Sequence, residues 1–451
     1  MAPSKSWFSL EDCKMAFNLF CCVYGVGTLG MPGNFSRAGP ALALVAMFFM
    51  AVANIYSSIV CSKVMLMAPR TVKTFGDLGE WCMGKTGRWL IVVSHTAVCI
   101  LIPCLYLVLG GTFLPALFPG TFSDVTWIIF MAEGAGVAFA GCLGTILADV
   151  IGIAILLNGM SGHPSVPKPQ ISFDQVATTF GNLSLAYGAG IVIPALQRQH
   201  SEPERMPRVI MVTLVIISAF FITLASSGYT AIGCQISGNL LFSIFPDNVT
   251  GLAKLGFFPD KGWAVLAYLF MQLHITIAFA VILHPALYVF ERAVLGMHKK
   301  PEVDVEAVAY TNAETPGVVD GEKVRLSKNS VVSVADLYRD PDEVDESHEY
   351  KGLAHKYVPL RILIIALMTA CLIMPIVFYF KKTWTSLPMY EKVWGIIVII
   401  VCAVLGAYVT YNTGKALFKS AAVDPSAPKF AFCHPEDQFQ LYYNASAVHH
   451  T

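Results

Sequence analysis

Charged residues are scarce in this chain. Of its 451 residues, 13% are charged and 55% are hydrophobic, whereas about a quarter of the residues of a soluble domain are charged. The 30 basic residues balance the 30 acidic residues, so the chain lacks the excess of positive charge that is typical of nucleic-acid binding. The composition therefore excludes an ordinary soluble domain. It predicts an integral protein of the lipid bilayer with no nucleic-acid partner.

Cysteine pairs with metal-ligand spacing are also missing. The chain has 12 cysteines, but no two of them form a C-x-x-C motif, so the sequence does not support a zinc or redox site. Most of them lie in apolar stretches, where cysteine acts as a small hydrophobic side chain. The start, MAPSKSWFSLEDCKMAF, has no short apolar core followed by a cleavage site, so we expect the first span to act as its own signal. We expect no cofactor.

Long apolar runs dominate what is present. A membrane helix needs about 20 apolar residues. Nine stretches qualify, at 13–35, 40–67, 89–109, 136–157, 175–196, 208–232, 262–290, 357–380 and 391–413. A further apolar piece, 125–132, is too short to cross alone. With a cytosolic N-terminus, lysine and arginine collect on the cytosolic side only if this piece also crosses. The sequence therefore predicts about ten transmembrane helices with a shortened fourth.

The same count predicts the arrangement of the chain. Residues 1–12 and the tail 414–451 are expected in the cytosol. Residues 13–297 hold the first eight helices, and 357–413 hold the ninth and tenth. The stretch 298–356 is acidic and lacks apolar periodicity, so it is predicted to be a disordered cytosolic linker.

Two of the apolar spans are interrupted by glycine and proline. Gly25, Gly27 and Gly30 form a G-x-G-x-x-G pattern, but its apolar flanks do not match the strand and helix of a dinucleotide site. Pro32 follows, and residues 188–194 repeat the order of Gly-x-Gly before proline. Interrupted helices in matching positions of two halves indicate a transport site between inverted repeats. The alternative is that these glycines only allow close helix packing.

Four stretches resemble the amino acid/auxin permease family. FNLFCCVYGVGTLGMPGNFSRAG is similar to its first helix, and TFGDLGEWCMGKTGR to its loop between helices two and three. YGAGIVIPALQRQHSEPERMPRV is similar to its sixth helix and the following loop, and HITIAFAVILHPALYVFERAVLG to its eighth helix. The resemblance runs through roughly 13–413 outside the linker. It implies an all-α, LeuT-like fold of five plus five inverted helices with helices one and six broken. The family usually has an eleventh helix, and the sequence shows no convincing eleventh span.

That resemblance implies a secondary active transporter of amino acids rather than an enzyme. Backbone N–H groups at a half-helix N-terminus attract a carboxylate, and unwound carbonyls accept from an ammonium group. Hydroxyls and one aromatic ring complete the candidate site, although ordinary core packing also explains the tyrosine. The predicted substrate-binding residues are Gly25, Val26, Gly27, Thr28, Leu29, Ser184, Ala186, Tyr187, Gly188 and Gly190.

The coupling ion is left open between Na⁺ and H⁺. In similar transporters a sodium ion lies between the unwound first helix and a hydroxyl of helix eight, which the resemblance assigns to Gly25 and Thr276. A proton needs an ionisable group at membrane depth, where such groups are rare. His95, Asp149 and His274 are therefore further coupling candidates, each with a structural role as the alternative. Glu133 and His284 are the other ionisable side chains in these spans.

The charged loop QRQHSEPERMPR follows the sixth span. We predict a cytoplasmic gate in which Arg198 or Arg205 pairs with Glu11 or Asp12, and the alternative is a solvated basic loop. Two other functions stay open. One is an amino-acid sensor of the same fold that signals through its cytosolic segments. The other is a membrane-embedded acyltransferase, for which the sequence offers no His–Asp pair at a spacing that ensures contact. The membrane is the plasma membrane or a vacuolar or endosomal membrane.

Overall fold

Helices joined by short turns make up the described part of the chain. The computed structural model describes residues 7–69, 71–118, 138–161, 167–236, 238–247, 250–290, 374–417 and 430–439. Within these ranges there is no β-strand, and one antiparallel bridge joins Pro169 to Cys433. All of these ranges belong to one structural unit. The predicted fourth span at 125–132, the linker 298–356 and residues 357–373 of the predicted ninth span lie outside the described residues.

Eleven helices can be followed in these ranges. They are α1 (Leu10–Val23), α2 (Met31–Met67), α3 (Phe75–Leu117), α4 (Ala138–Gly159), α5 (Phe173–Ala186), α6 (Ile193–Gln199), α7 (Met206–Ile232), α8 (Leu240–Ile244), α9 (Lys261–Phe290), α10 (374–383) and α11 (Met389–Leu417). In this part of the chain, four stretches are long and apolar enough to cross a membrane: Val26–Met67, Phe75–Pro103, Pro203–Gln235 and Met389–Tyr408. The chain is thus an integral membrane protein, and the count of ten crossings stays a prediction.

Local sequence explains where several helices begin. Ser9 and Asp12 form a reciprocal capping box at the start of α1, and Thr74 and Asp77 form another at the start of α3. The same arrangement begins α5. In each box two side chains satisfy backbone N–H groups that have no partner within the helix. These caps fix the helix starts independently of the surrounding lipid.

Two long helices are kinked at glycine. Gly39 has φ 73° inside α2 and is followed by Pro40, and Gly84 has φ 72° inside α3. Only glycine adopts such a backbone conformation without strain. The first kink divides α2 into α2a (31–38) and α2b (40–67). The predicted first span therefore continues through α2a, and the predicted second span is α2b.

The helices pack in two groups. One group places α2 along α5 and α7 and α1 along α7, and the other places α9 along α3 and α4. Glycine permits the closest contacts in both groups. A Cβ atom at Gly228 of α7 would lie 2.5 Å from Pro32 Cβ, and one at Gly144 of α4 would lie 2.7 Å from the Phe270 carbonyl oxygen. Small residues at such positions let membrane helices approach each other closely.

The bundle has two ends, which we name after one residue each. At the Asp12 end, the start of α1 meets the turn between α6 and α7. At the Cys433 end, the segment 430–439 meets the end of α7. Helix α11 runs from the Asp12 end, where Glu391 pairs with Lys63 of α2 at 3.6 Å, toward the Cys433 end, where Tyr408 contacts Phe173 and Asp174 at the start of α5.

This arrangement differs from the topology expected from the sequence. The count of ten crossings places residues 1–12 and the tail 414–451 on the same side of the membrane. In the structure, 430–439 lies at the opposite end of the helices from Asp12, because Cys433 is bonded to Cys234, two residues after the end of α7. Counting basic residues cannot detect such a long-range bond, so the predicted cytosolic location of the tail rests on that count alone.

Candidate functional site

The first interruption separates α1 from α2. Helix α1 ends at Val23, Gly25 is extended, and a 3₁₀ turn over Val26–Gly30 leads into α2, which has Pro32 in its first turn. The Thr28 N–H donates to the Gly25 carbonyl at 2.9 Å. Helix ends leave carbonyl groups without donors and N–H groups without acceptors. The stretch therefore carries both kinds of backbone group close to the middle of the predicted first span.

The second interruption separates α5 from α6. Helix α5 ends at Ala186, and α6 begins at Ile193 with Pro194 in its first turn. Gly188 and Gly190 lie in the irregular residues between the two helices. The two interruptions thus have the same order: a short helix, glycine-containing irregular backbone, and a new helix that starts with proline.

The two interruptions touch each other. A Cβ atom at Gly27 would lie 3.2 Å from the Cβ of Ala186, and a Cβ atom at Gly25 would lie 2.9 Å from Nε2 of His274 and 3.8 Å from Oη of Tyr106. His274 belongs to α9 and Tyr106 to α3. The unwound backbone therefore lies where the two helix groups meet, with one imidazole and one phenol facing it.

A buried carboxyl group joins the first interruption to α4. Asp149 is 2% exposed. The Tyr24 hydroxyl donates to its Oδ2 at 3.0 Å, and the Thr28 hydroxyl donates to its Oδ1 at 3.0 Å. In the described structure no basic side chain forms an ion pair with Asp149. A carboxylate buried at membrane depth is costly unless it is protonated or paired with a cation. Asp149 is therefore a candidate for a group that binds a proton or a small cation.

Other predicted substrate residues make different contacts. The Ser184 hydroxyl donates to the Phe180 carbonyl of its own helix at 3.0 Å. Tyr187 is fully buried, and its hydroxyl donates to Oγ of Ser218 on α7 at 2.9 Å. The contacts of Tyr187 are those of a core residue, as the packing alternative states. Leu29 also lies in the core, and Val26 is half-buried.

The coupling candidates other than Asp149 make separate contacts and do not form one site in the described part of the chain. The Thr276 hydroxyl donates to the Gln272 carbonyl at 2.9 Å. On a helix, Thr276 lies about 200° around the axis from His274, and His274 is the residue that faces Gly25. A sodium site between Gly25 and Thr276 therefore gains no support from the described contacts. His95 is half-buried and makes no hydrogen bond with a described residue. Glu133 and the side chain of His284 lie outside the described part.

Acidic residues of α1 meet the loop after α6 at the Asp12 end. Nε of Arg205 donates to both carboxylate oxygens of Asp12, at 3.0 and 2.9 Å. Asp12 lies ahead of the predicted first span, and its hydrogen bond with Arg205 holds its pKa well below the usual range. The Ser201 side chain and N–H lower the pKa of Glu11 in the same way. Both carboxylates are therefore ionised at neutral pH.

His200 completes this cluster. It is 3% exposed, and its Nε2 lies 2.9 Å from Oδ1 of Asp12. Its Nδ1 accepts a hydrogen bond from the Glu202 N–H at 3.0 Å. A ring nitrogen that accepts is not protonated, so the proton of a neutral imidazole lies on Nε2 and is donated to Asp12. The Asp12 carboxylate is thus held by Arg205, by His200 and by the Ser9 N–H of the capping box.

Arg198 has another role. Its Nε donates to the Val72 carbonyl at 2.7 Å and its Nη2 to the Pro69 carbonyl at 3.0 Å, with Met65 and Ala68 carbonyls at 3.4 and 3.5 Å. These are carbonyl groups at and beyond the C-terminus of α2, where helical partners are missing. Arg198 therefore fastens α6 to α2, and the pairing with an α1 acid that we predicted for either arginine is made by Arg205.

Some site residues escaped sequence reasoning. Tyr24 immediately precedes Gly25, and a phenol next to an interruption was a signal that could have been used. Tyr106 and His200 gave no comparable signal, because a tyrosine in an apolar span and a histidine in a polar loop are both ordinary. Their positions depend on how distant helices pack.

The architecture defines a class of protein: a helical membrane protein whose two interrupted helices meet beside a buried acid. The crystal structure of MhsT in complex with L-phenylalanine aligns with a TM-score of 0.53, covering 91% of this chain and 100% of that chain at 10% sequence identity. The likeness shows that the two chains share a LeuT-like fold.

The sequence comparison is more specific. The model of the family "Transmembrane amino acid transporter protein" matches residues 12–140 and 133–314. The chain belongs to this family, which is one of transporters and not of enzymes. Two relatives from Arabidopsis thaliana are amino acid transporter AVT1I, 24% identical over 254 residues, and amino acid transporter AVT3A, 24% identical over 281 residues. These matches cover 51% and 54% of this chain, and 62% and 63% of the relatives. The chain therefore spans less than two thirds of either relative.

Proposed function

We propose that this chain moves amino acids across a membrane as a secondary active transporter that works by alternating access. The observation that carries the proposal is the contact between the two interruptions, Gly27 against Ala186. Unwound backbone at such a junction supplies donors and acceptors at the same place. Family membership supports an amino acid as the cargo.

The two charged ends of an amino acid suit the two kinds of backbone group. The N–H groups of the turn Val26–Gly30 suit the carboxylate, since they lie at the positive end of α2. Carbonyl groups around 186–190 suit the ammonium group. His274 and Tyr106 face the same backbone from α9 and α3, so they would border the bound substrate.

Coupling is assigned to Asp149, with a proton or a sodium ion as the bound cation. With the cation in place, the carboxyl group and its hydroxyl donors Tyr24 and Thr28 join α1 to α4. Without it, a buried charge costs several kcal/mol, and separation of α1 from α4 lets water reach the carboxylate. Binding of the cation is thereby linked to the conformation of the first interruption.

The first test is uptake of a panel of labelled amino acids by proteoliposomes that contain this chain. The liposomes carry an inward sodium gradient, an inward proton gradient, or neither. We expect saturable uptake that one of the two gradients drives, which identifies the cargo and the coupling ion together. Binding of an amino acid by folded protein without any flux would contradict transport and favour the amino-acid sensor.

The variant Asp149→Asn tests the coupling site. We expect accumulation driven by the gradient to fall at least about tenfold, the range of a typical coupling free energy, while exchange of internal for external amino acid continues. The matched control is Thr213→Val, which removes a buried hydroxyl that donates to the Val209 carbonyl within α7 and should leave both activities unchanged. Full accumulation by Asp149→Asn would exclude Asp149 as the coupling group.

The Asp12 end is assigned to the cytosol. The segment from the end of α6 to the start of α7 carries Arg198, Arg205 and Arg208 there, and short cytosolic connections between membrane helices are enriched in basic residues. In this orientation the Asp12–Arg205 pair acts as the cytoplasmic gate. The membrane is the cell surface or a vacuolar or endosomal membrane.

A further inference from the structure

Residues 430–439 fold on themselves. The Phe430 N–H donates to the Gln438 carbonyl at 2.9 Å, and the Asp437 N–H donates to the His434 carbonyl at 2.9 Å. Nε2 of Gln438 donates to the Cys433 carbonyl at 3.1 Å. We call this segment the C-terminal strap. Its internal hydrogen bonds give it a defined shape, so its outer contacts have fixed positions.

The strap is bonded covalently to the end of α7. Cys433 forms a disulfide with Cys234, 199 residues earlier in the sequence. Nε2 of Gln235 also donates to the Asp437 carbonyl at 3.3 Å. Structural disulfides persist in oxidising compartments and are rare in the cytosol. The Cys433 end therefore faces the cell exterior or an organelle lumen, and the Asp12 end faces the cytosol.

Phe432 connects the strap to two further elements. The Gln170 N–H, just ahead of α5, donates to the Phe432 carbonyl at 2.8 Å. The guanidinium group of Arg37, at the end of α2a, lies over the Phe432 ring at 4.8 Å from its centroid. Cation–π contacts of this kind contribute favourably. One residue of the strap thus contacts the outer ends of α2a and of the α5 segment.

These two elements are the half-helices on the Cys433 side of the interruptions. Nδ2 of Asn182 on α5 donates to Oδ1 of Asn34 on α2a at 3.0 Å. The Ser36 hydroxyl on α2a donates at 2.6 Å to the carbonyl of Gly233, next to Cys234 at the end of α7. The half-helices α2a and α5 are therefore joined to each other and, through Ser36 and the strap, to the end of α7.

We propose that the C-terminal strap fastens the outer ends of α2a and α5 to α7, so that the three move as one body on the extracytosolic side. The strap then forms part of the entrance through which an amino acid reaches the interruptions from that side. The role in the entrance rests on the proposed function, whereas the fastening itself does not.

The fastening is tested by amide hydrogen exchange on Cys433→Ser, with Cys402→Ser as the matched control. Cys402 is a free, buried cysteine of α11. We expect exchange in 31–38 and 167–180 to rise by about tenfold or more in Cys433→Ser, as loss of a typical disulfide cross-link allows. Exchange in 7–20 and 200–210 at the Asp12 end should not change, and Cys402→Ser should change neither region. Unchanged exchange, or an equal rise at both ends, would overturn the proposal.

A second variant keeps the disulfide. Phe432→Ala removes the ring under Arg37, and we expect a smaller rise in exchange that is confined to 31–38. No rise in that peptide overturns the contact between the strap and α2a, even if Cys433→Ser does not fold. Uptake is measured separately for each variant. Altered exchange with no transport by the unmodified chain would reject the proposed function and leave the fastening standing.

The side of the membrane is tested with Cys234→Ser, which leaves Cys433 as a free thiol on the strap. Sealed vesicles of known orientation are treated with a membrane-impermeant maleimide, and peptide mass mapping locates the label. We expect Cys433 to react from the extracytosolic side. Reaction from the cytosolic side only, or free thiols at both positions in the unmodified protein, overturns the proposal.

Discussion

At the scale of single residues, glycine decides how closely the two interruptions approach. Gly27 faces Ala186 across a gap that leaves no room for a relaxed Cβ contact, since the added atom would lie 3.2 Å from Ala186 Cβ. Gly30, three residues on, has its nearest such neighbour at 3.8 Å, an ordinary van der Waals distance. The two positions therefore differ in what a methyl group would displace, although both belong to the same turn.

Gly27→Ala should reduce uptake by about tenfold without loss of folded protein. The added methyl group shifts the end of α5. Since a misplacement of about 1 Å can cost about 10²-fold, we expect a smaller shift to cost about tenfold. The double variant Gly27→Ala/Ala186→Gly should restore most of the uptake, because it returns the space. Gly30→Ala is the control and should transport normally. Failure of Ala186→Gly to rescue would mean that Gly27 acts through its backbone conformation and not through this contact.

The carboxylate of Asp12, which pairs with Arg205, should not change its ionisation in the physiological pH range. Arg205 lowers the pKa of Asp12 in the folded protein. The stability that the ion pair contributes is therefore complete above the pKa of Asp12 in the unfolded chain, about 4. It is lost only as the pH falls through the lower pKa of Asp12 in the folded protein. We therefore expect the ratio of uptake by Asp12→Asn to uptake by the unmodified chain to be the same from about pH 5 to 8. A ratio that approaches one at pH 5 would show that Asp12 becomes protonated there.

At the scale of helices, the two glycine kinks allow the cost of a strained backbone conformation to be distinguished from the cost of a close packing contact. A Cβ atom at Gly84 meets nothing within 4 Å, whereas one at Gly39 would lie 3.1 Å from Cδ1 of Ile171. Both residues have φ near +70°, a region that L-residues occupy at a cost. The pair thus allows the two contributions to be measured in one molecule.

Gly84→Ala should destabilise the protein by about 1–3 kcal/mol, the cost of a strained backbone conformation. Gly39→Ala should destabilise it more, because the contact with Ile171 adds to the same backbone cost. Thermal unfolding in detergent measures the order. Gly30→Ala is the control, because Gly30 has a negative φ and an added Cβ atom there would have only an ordinary van der Waals neighbour at 3.8 Å. Equal stability of Gly84→Ala and the unmodified chain would show that the kink relaxes at no cost.

Helices were the part of the fold that could be predicted best. Apolar runs predicted α2b, α4, α7 and α11, since lipid requires that a spanning segment satisfy its own backbone. Glycine and proline predicted the interruptions, because they break the helix at a depth where the freed backbone groups must find other partners. The partners across them could not be predicted: Tyr106 and His274 meet Gly25 only because α3 and α9 pack as they do. Asp149 was detectable as an acid in an apolar span and Thr28 as a hydroxyl in the first interruption, but the hydrogen bonds that join Tyr24 and Thr28 to Asp149 were not predictable.

At the scale of the whole molecule, different chemistry holds the helices together at the two ends. The Asp12 end is held by ionised groups, which water can replace once they separate. The Cys433 end is held by a disulfide and by the ring of Phe432, which water cannot replace. The charged loop in the sequence predicted the ion pair at the Asp12 end. The disulfide at the Cys433 end joins residues 199 apart, and spacing alone does not determine a disulfide pairing.

Arg205→Gln should open the Asp12 end and, through the alternating access that we propose, close the Cys433 end. Removal of the guanidinium leaves Asp12 with only His200 and the Ser9 N–H as partners, and a buried carboxylate that loses its paired cation favours exposure to water. Amide exchange in 7–20 should therefore rise, while exchange in 31–38 should fall, because a ligand-free transporter shifts between two states rather than opening twice.

The control for this variant is Arg88→Gln, which removes an exposed pair with Glu80 on α3. Exposed ion pairs contribute little, so neither peptide should change. A rise at the Asp12 end with no fall at the Cys433 end would show that the two ends open independently. The Asp12–Arg205 pair would then stabilise only its own end of the helices. The switch between the two proposed states would have to be controlled elsewhere, and Asp149, between the helix groups, would be the remaining candidate.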